Sequence, residues 1–383
     1  MSPSLRHSHF DLAIVGAGIL GLSHALAAAR FGKSVVVIDR DATANGASIR
    51  NFGFITVTGQ QAGECWQRAM RSRDRWVEVA ASAGIAIEHE GLMVAVRRPE
   101  SRAVLEAFAQ TGMGRSCQLL APAEACAKVP SLRAEGLTAA LWSPHEVRVE
   151  SRSAIPKLAA WLEAVHGVTV LRSTLATSIA PPRIETTAGT IFAECAVVCA
   201  GHEFQTLFPE RIAAYGLTTC KLHMMRVVPP ASAPRLGTAV MSDLGLVRYL
   251  GYAELPEAQA LKARLVAEQK PALDHGVHLI VVRSADGSLV VGDSHHYGET
   301  LDPFAPEAVD RIILDELDSV LHLPGRVVSE RWVGTYASAP DRLMLVDRPS
   351  DSVRVVIVTS GTGASTGFAI GEDVIAELYG AVR

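Results

Sequence analysis

Near the start of the chain, "DLAIVGAGILGLSHALAAARFGKSVVVIDRD" sets an apolar strand, a glycine turn, a helix and a second apolar strand in direct succession. Asp11 to Val15 reads as a short strand, Leu20 to Phe31 has helical periodicity, and "SVVVID" reads as a buried strand ending at Asp39. Gly16, Gly18 and Gly21 make the turn. Gly16 permits a tight bend, Gly18 leaves room for a pyrophosphate, and Gly21 lets the helix lie close to the strand. The helix starts around Ile19 and points the positive end of its dipole at the phosphates. Asp39, eighteen residues beyond Gly21, can accept hydrogen bonds from both ribose hydroxyls. Its charge repels a 2′-phosphate and argues against NADP, although Arg40 stands beside it. The unit is Rossmann-like, and alone it does not separate NAD from FAD.

The rest of the composition narrows the class. A chain of 383 residues, 49% hydrophobic, supports roughly two domains and a sizeable core. The net charge of −4 and the lack of a polybasic run give no sign of a nucleic-acid or membrane partner. Six cysteines are scattered without C-x-x-C or zinc spacing, as expected of free thiols in a reducing compartment. The polar start "MSPSLRHSHF" and the glycine-broken first apolar run read as neither signal peptide nor spanning helix, so a soluble cytoplasmic protein is expected.

Two further stretches bear on the cofactor. After the second strand comes "ATANGASIRNFGFITV", a polar, small-residue loop where a simple NAD enzyme would begin another strand–helix repeat. Such a loop could run beside a longer cofactor; Ser48, Arg50, Asn51 and Gly53 are its candidate contacts. Near the other end, "VRVVIVTSGTGASTGFAIGEDVIAELYGAV" reads as a buried strand, a glycine turn and a helix. Gly361, Gly363 and Gly367 allow close backbone approach, and the helix N-terminus is aimed at whatever lies there. No lysine follows the glycines, so it is not a P-loop. Beside a flavin pyrimidine, that helix end would stabilise the negative charge that reduction brings.

With these stretches in place, the sequence resembles the D-amino acid oxidase, glycine oxidase and sarcosine oxidase superfamily of FAD enzymes over nearly its whole length. "FAECAVVCAGHE", with Ala200 and Gly201, resembles the strand and small-residue turn beside the flavin, and "SERWVGTYASAPDRLMLVD" the stretch with a Trp-x-Gly. The closing turn matches the flavin motif, with Thr362 where many relatives have His. The resemblance implies an α/β fold in which a Rossmann-like FAD-binding domain (1–80, 146–220 and 337–383) is interleaved with an α+β, mixed-sheet substrate domain (81–145 and 221–336). "GIAIEHEGLMVAVR", "GLVRYLGY" and "HLIVVRSADGSLVVGDSH" read as strands of the latter, with a hairpin at "SADGSL". It further implies non-covalently bound FAD, hydride transfer from an amine to flavin N5, hydrolysis of the imine to an aldehyde and an amine, and oxygen or another electron acceptor. The wording "SIRNFGFITVTGQQ" and "TTCKLHMMR" resembles an FAD oxidoreductase subfamily that accompanies 2-aminoethylphosphonate breakdown, with phosphonoacetaldehyde as product.

The chain departs from the family pattern in ways that bear on the substrate. Relatives place an arginine shortly after the Trp-x-Gly to clamp a carboxylate; here Tyr336 stands there, so an ordinary amino-acid carboxylate loses its bidentate partner. Arg226, Arg248 and Arg283 are the replacement cations on probable substrate strands, and Arg50, Asn51, Tyr249 and His296 are further candidate substrate contacts. His223 and His295 are candidate acid–base groups. Lys221 is a candidate for assisting oxygen, since Val290 and Val291 occupy the approximate position of the relatives' lysine. No metal is expected: adjacent His295 and His296 face opposite sides of a strand. The alternatives are a glycine, sarcosine or D-amino acid oxidase, an NAD-dependent dehydrogenase and a non-catalytic flavoprotein.

Overall fold

The computed structural model describes residues 9–380, so most of the polar N-terminal stretch and the last three residues lie outside it. The fold is mixed α/β, built on two sheets. The opening unit forms as its sequence dictates: strand His9–Val15, helix Ile19–Arg30 and strand Val35–Ile38, with the two strands parallel. Strand Gly189–Val198 lies parallel on the other side of His9–Val15, and Val353–Val358 lies parallel beyond it. Thr169–Leu171 and the antiparallel Met344–Ser350 close the two edges, and the hairpin Ala176–Ala180 with Arg183–Thr186 completes eight strands. Near-continuous apolar strands such as "VVVI" are those of a parallel sheet covered on both faces.

The two ends of the chain meet because small residues let two helices touch. Helix Gly363–Leu378 crosses the first helix, where a Cβ on Gly371 would stand 2.8 Å from the Ser23 carbonyl carbon and one on Gly367 3.5 Å from Ser23 Oγ. Helices Glu64–Ala83 and Ser151–His166 pack into the same apolar cluster. Trp76 anchors it, its ring edge against Phe368 and its indole N–H donating to the Ala364 carbonyl at 2.8 Å.

The second sheet has ten strands. Its long members are Ile87–Val96, Ala139–Val149, Thr218–Val228 and Val327–Ser338. The "SADGSL" hairpin is present, joining antiparallel strands Ile280–Arg283 and Leu289–Gly292. "GLVRYLGY" is not a strand: residues 243–247 form a 3-10 turn and 250–253 a helical turn. A short apolar run suits either conformation, and Gly251 decides it. Its amide bonds the Gly59 carbonyl at 2.9 Å, and a Cβ there would stand 2.4 Å from the Gln60 carbonyl. The chain must therefore coil tightly against residues 59–60. The two sheets are joined at the bridge Ser338–Ser360, where the longest strand of the second sheet reaches the closing turn of the first. No helix among the described residues is long and apolar enough to cross a membrane.

Candidate active site

A cavity of about 560 Å³ runs where the sheets meet, inside the range of about 300–1,000 Å³ usual for ligand sites. Its first end is the opening turn. Gly16 adopts φ +101°, and a Cβ on it would stand 2.4 Å from the Cys199 carbonyl; one on Gly21 would stand 1.9 Å from the Gly16 carbonyl. A Cβ on Gly18 would collide with Ser48 Oγ at 2.8 Å, the same oxygen that accepts the Ile19 amide at 2.9 Å. Asp39 is fixed by two amides, Ala17 to Oδ2 at 2.6 Å and Asp41 to Oδ1 at 2.9 Å, and it lines the cavity with Arg40.

The other end is the closing turn, where Gly361, Thr362 and Gly363 line the cavity and Thr362 immediately precedes the last helix, its hydroxyl paired with Ser360 Oγ. No acidic residue stands in the first turn of either helix. At the first helix the nearby Asp39 carboxylate and Ser48 hydroxyl accept the Ala17 and Ile19 amides, and at the last the N-terminal end of the dipole meets the cavity. Ala200 and Gly201 form part of the wall, as do Arg50 and Asn51. A glycine cradle at each end, the Asp39 carboxylate and two helix N-termini facing the cavity suit a dinucleotide as long as FAD. Asn51 spends its polar atoms on the loop: it accepts from the Gly53 amide at 2.6 Å and from Ser151 Oγ at 2.9 Å, and donates to the Ala47 carbonyl at 2.8 Å.

Three proposed cofactor contacts, Gly21, Gly53 and Gly367, do not line the cavity; Gly21 serves the close approach to the Gly16 carbonyl given above. A Cβ on Gly53 would stand 1.9 Å from the Val149 carbonyl, so that glycine allows the loop to meet a strand of the second sheet. Gly367 serves the helix crossing described above.

Beyond the closing turn, the cavity ends in a cluster of polar rings. Arg248 donates to the Tyr297 hydroxyl at 2.9 Å. Tyr249 packs edge-on to His278 with ring centroids 5.4 Å apart, His278 stacks on His295 at 5.0 Å, and His295 meets Tyr336 at 6.4 Å. Asp293 lies among them, its Oδ1 3.2 Å from His278 Nδ1 without hydrogen-bond alignment and its Oδ2 3.9 Å from His295 Nε2. Burial pushes the Asp293 carboxyl up to about 8, against the opposing pull of Arg248. Burial, with the Arg248 charge, holds His278 and His295 well below the usual imidazole range. The donor atoms of His278, Asp293 and His295 lie within 4.8 Å of one another, but the guanidinium beside them opposes a divalent cation.

Strand alternation explains which other candidates miss the cavity. Leu222 lines it, so Lys221 and His223, one residue either side, project from the opposite face. Lys221 donates to the carbonyls of Asp302 and Phe304 at 2.6 and 2.8 Å, and His223 Nδ1 pairs with Asp310 at 3.0 Å. His296 shares that far face, with Nε2 3.0 Å from His275 Nδ1. Arg226 bonds Ser288 at 2.7 Å and pairs with Glu330 at 3.4 Å, and Arg283 bonds the Leu236 carbonyl at 2.9 Å; neither meets the cavity. Of the three replacement arginines, only Arg248 lines it.

Sequence reasoning missed Asp293, His278, Tyr297 and His202. Asp293 is two residues from His295 in "GDSHHYGE", on the segment between two strands, and both line the cavity. His202 follows Gly201 directly and lies 3.3 Å from Thr335 Oγ1; nothing in the sequence pairs it with Thr335.

A family model described as FAD dependent oxidoreductase (DAO) matches residues 11–378, which decides between the two nucleotides the opening turn allows. No curated protein matches the sequence. Among solved structures, glycine oxidase from Bacillus cereus ATCC 14579 superposes with a TM-score of 0.78 at 16% identity, covering 98% of this chain and 96% of that one. Iminodiacetate oxidase from Chelativorans sp. BNC1 gives 0.70 at 19% identity, covering 97% of each chain. L-alpha-glycerophosphate oxidase from Mycoplasma pneumoniae, with FAD bound, gives 0.74 at 16% identity, covering 97% of this chain and 95% of that one. At such identities the likeness is one of fold.

Proposed function

Because the chain belongs to the DAO family of FAD dependent oxidoreductases, we propose that it oxidises a small amine carrying an anionic group, and that this amine is an aminoalkylphosphonate, 2-aminoethylphosphonate or its N-methyl form. Bound FAD supplies a two-electron acceptor that takes hydride from the carbon next to a neutral nitrogen. Hydrolysis of the resulting imine gives phosphonoacetaldehyde, with ammonia from 2-aminoethylphosphonate and methylamine from its N-methyl form.

Asp39 and the Gly16–Gly18 turn hold the adenosine and pyrophosphate end, and the Gly361–Gly363 turn holds the ring end. Attachment is non-covalent: Cys199, the thiol at the opening turn, is buried, and burial pushes it far up. This grip rests on the partition of the chain into a cofactor part at 1–80, 146–220 and 337–383 and a substrate part between. All six cysteines are free, which supports a reducing, cytoplasmic setting.

One observation carries the substrate reading: the Arg248 guanidinium at the end of the cavity, with the Tyr297 hydroxyl at 2.9 Å and the Tyr249 and Tyr336 rings around it. Burial raises the Asp293 carboxyl to about 8, so it offsets the Arg248 charge less than a solvated carboxylate would, and an entering anion meets a cation that is only partly compensated. Charge-assisted bonds to a guanidinium are among the strong ones. A phosphonate brings three oxygens to this guanidinium and its phenols. Two of the similar folds are named for glycine and iminodiacetate, carboxylates with nitrogen on the adjacent carbon. The family resemblance implies an arginine clamp for such carboxylates where this chain has Tyr336, and that difference turns the preference away from them.

The test is a panel of glycine, sarcosine, 2-aminoethylphosphonate and its N-methyl form, run under air and with an artificial acceptor. Aldehyde from the phosphonates supports the proposal, and turnover of the carboxylates alone overturns it. Peroxide release would identify oxygen as the acceptor.

A further inference from the structure

We propose that Asp293 takes the ammonium proton from the bound substrate, leaving the nitrogen lone pair free before the adjacent carbon–hydrogen bond breaks; the inference rests on the amine reading above. The N–H bond breaks, an O–H bond forms on the carboxylate, and the electron pair stays on nitrogen. No oxidant takes part in this step.

The geometry singles out this carboxyl. It stands just past the strand Leu289–Gly292, and its backbone is locked to His278 in both directions, amide to carbonyl at 2.9 and 3.2 Å. Oδ1 is buried without a hydrogen-bond partner although His278 Nδ1 is 3.2 Å away. His295 Nδ1 is 2.9 Å from the Gly276 carbonyl, which fixes the ring proton there and leaves Nε2 as an acceptor facing Asp293 Oδ2. A proton arriving on Asp293 is therefore received beside an open imidazole nitrogen.

The charged and titratable groups around Asp293 are His278, His295, Arg248, Tyr249 and Cys220. Both tyrosine and cysteine are held in their neutral forms by burial. The two imidazoles are disfavoured as acceptors, because each would gain positive charge beside Arg248. Asp293 would instead lose a negative charge that its buried site penalises. Its position at about 8 brings it closer to the basicity of an alkylamine than a solvated carboxyl is, which is where proton transfer is most efficient. The entering ammonium supplies the opposite charge that ionises it: the carboxyl's own proton passes to solvent on binding, and the carboxylate left behind then takes the ammonium proton.

The test uses the FAD-loaded enzyme and whichever amine of the panel reduces the wild type. Asp293→Asn is expected to slow anaerobic flavin reduction by about 10²–10⁴-fold and to remove the acid limb of the pH profile. The loss should shrink for fluorinated amines that are already neutral at the assay pH, which a merely structural role would not produce. Asp293→Glu should recover part of the rate and the limb. A second readout needs no turnover: binding of 2-amino-2-methylpropylphosphonate, whose nitrogen-bearing carbon has no hydrogen, followed by calorimetry in buffers of different ionisation heat. At pH 7 the wild type should release about one proton on binding and Asp293→Asn none. Equal rates and pH profiles in wild type and Asp293→Asn, or no proton release by the wild type, would overturn the assignment. If no amine reduces the wild-type flavin, the amine reading fails and this one with it.

Discussion

Tyr336 lies against Gly361: a Cβ built on that glycine, at φ +72°, would stand 3.2 Å from the tyrosine Cζ and 3.4 Å from its hydroxyl. One contact thus couples the closing cofactor turn to the ring cluster at the substrate end. The long strand Val327–Ser338 delivers Tyr336 there, and the bridge between Ser338 and Ser360 holds the two segments in register.

Gly361→Ala should therefore weaken both functions. The left-handed backbone costs a residue with a side chain about 1–2 kcal/mol, and the new methyl displaces Tyr336. Thermal unfolding of the holoenzyme should show the stability loss, and the KM for the amine should rise while the opening-turn contacts stay intact.

Arg248→Gln should raise the KM for an anionic amine. Hydrogen bonds to a charged group contribute about 1.5–3 kcal/mol, so the expected loss is about 10–150-fold. FAD content should not change. The same variant should handle an amine without an anionic group as the wild type does, and steady-state kinetics on the two substrates checks this.

Lys221→Met should leave kcat/KM within about twofold of the wild type, with FAD content unchanged. Its ammonium holds the carbonyls of Asp302 and Phe304, and leaving them unbonded costs about 1–3 kcal/mol. Denaturant unfolding should show that loss. A large fall in the oxygen reaction with unchanged stability would contradict this placement.

His24 makes acid stability a further check. It is buried in the first helix, and desolvation lowers it from 6.5 to about 4. The unfolded chain thus binds a proton that the folded chain refuses. The stabilising effect of a neutral His24 is full above about pH 6.5 and fades as pH falls toward about 4. The limiting slope is about 1.4 kcal/mol per pH unit. His24→Asn should flatten the pH dependence of stability in that window, measured by denaturant titration.

What the sequence made legible follows from how local each signal is. The opening turn, its helix and Asp39 lie within one stretch, and each glycine there answers to a specific close approach, so its geometry could be read before folding. The closing turn was readable for the same reason. The substrate end draws Tyr249, His278, Asp293 and Tyr336 from four separated segments, and no spacing rule relates them. Strand parity could have set Lys221 and His223 apart from Leu222, but which face met the cavity depended on the register with Val327–Ser338. "GLVRYLGY" misled because its coiling is imposed by the backbone at Gly59 and Gln60, far away in sequence.

Anaerobic titration of the FAD-loaded protein tests the central claim most directly. The account predicts that 2-aminoethylphosphonate or its N-methyl form bleaches the visible flavin band in the wild type and does so only at much higher concentration in Arg248→Gln. Bleaching by glycine or sarcosine but by neither phosphonate, with Arg248→Gln indistinguishable from the wild type, would contradict it.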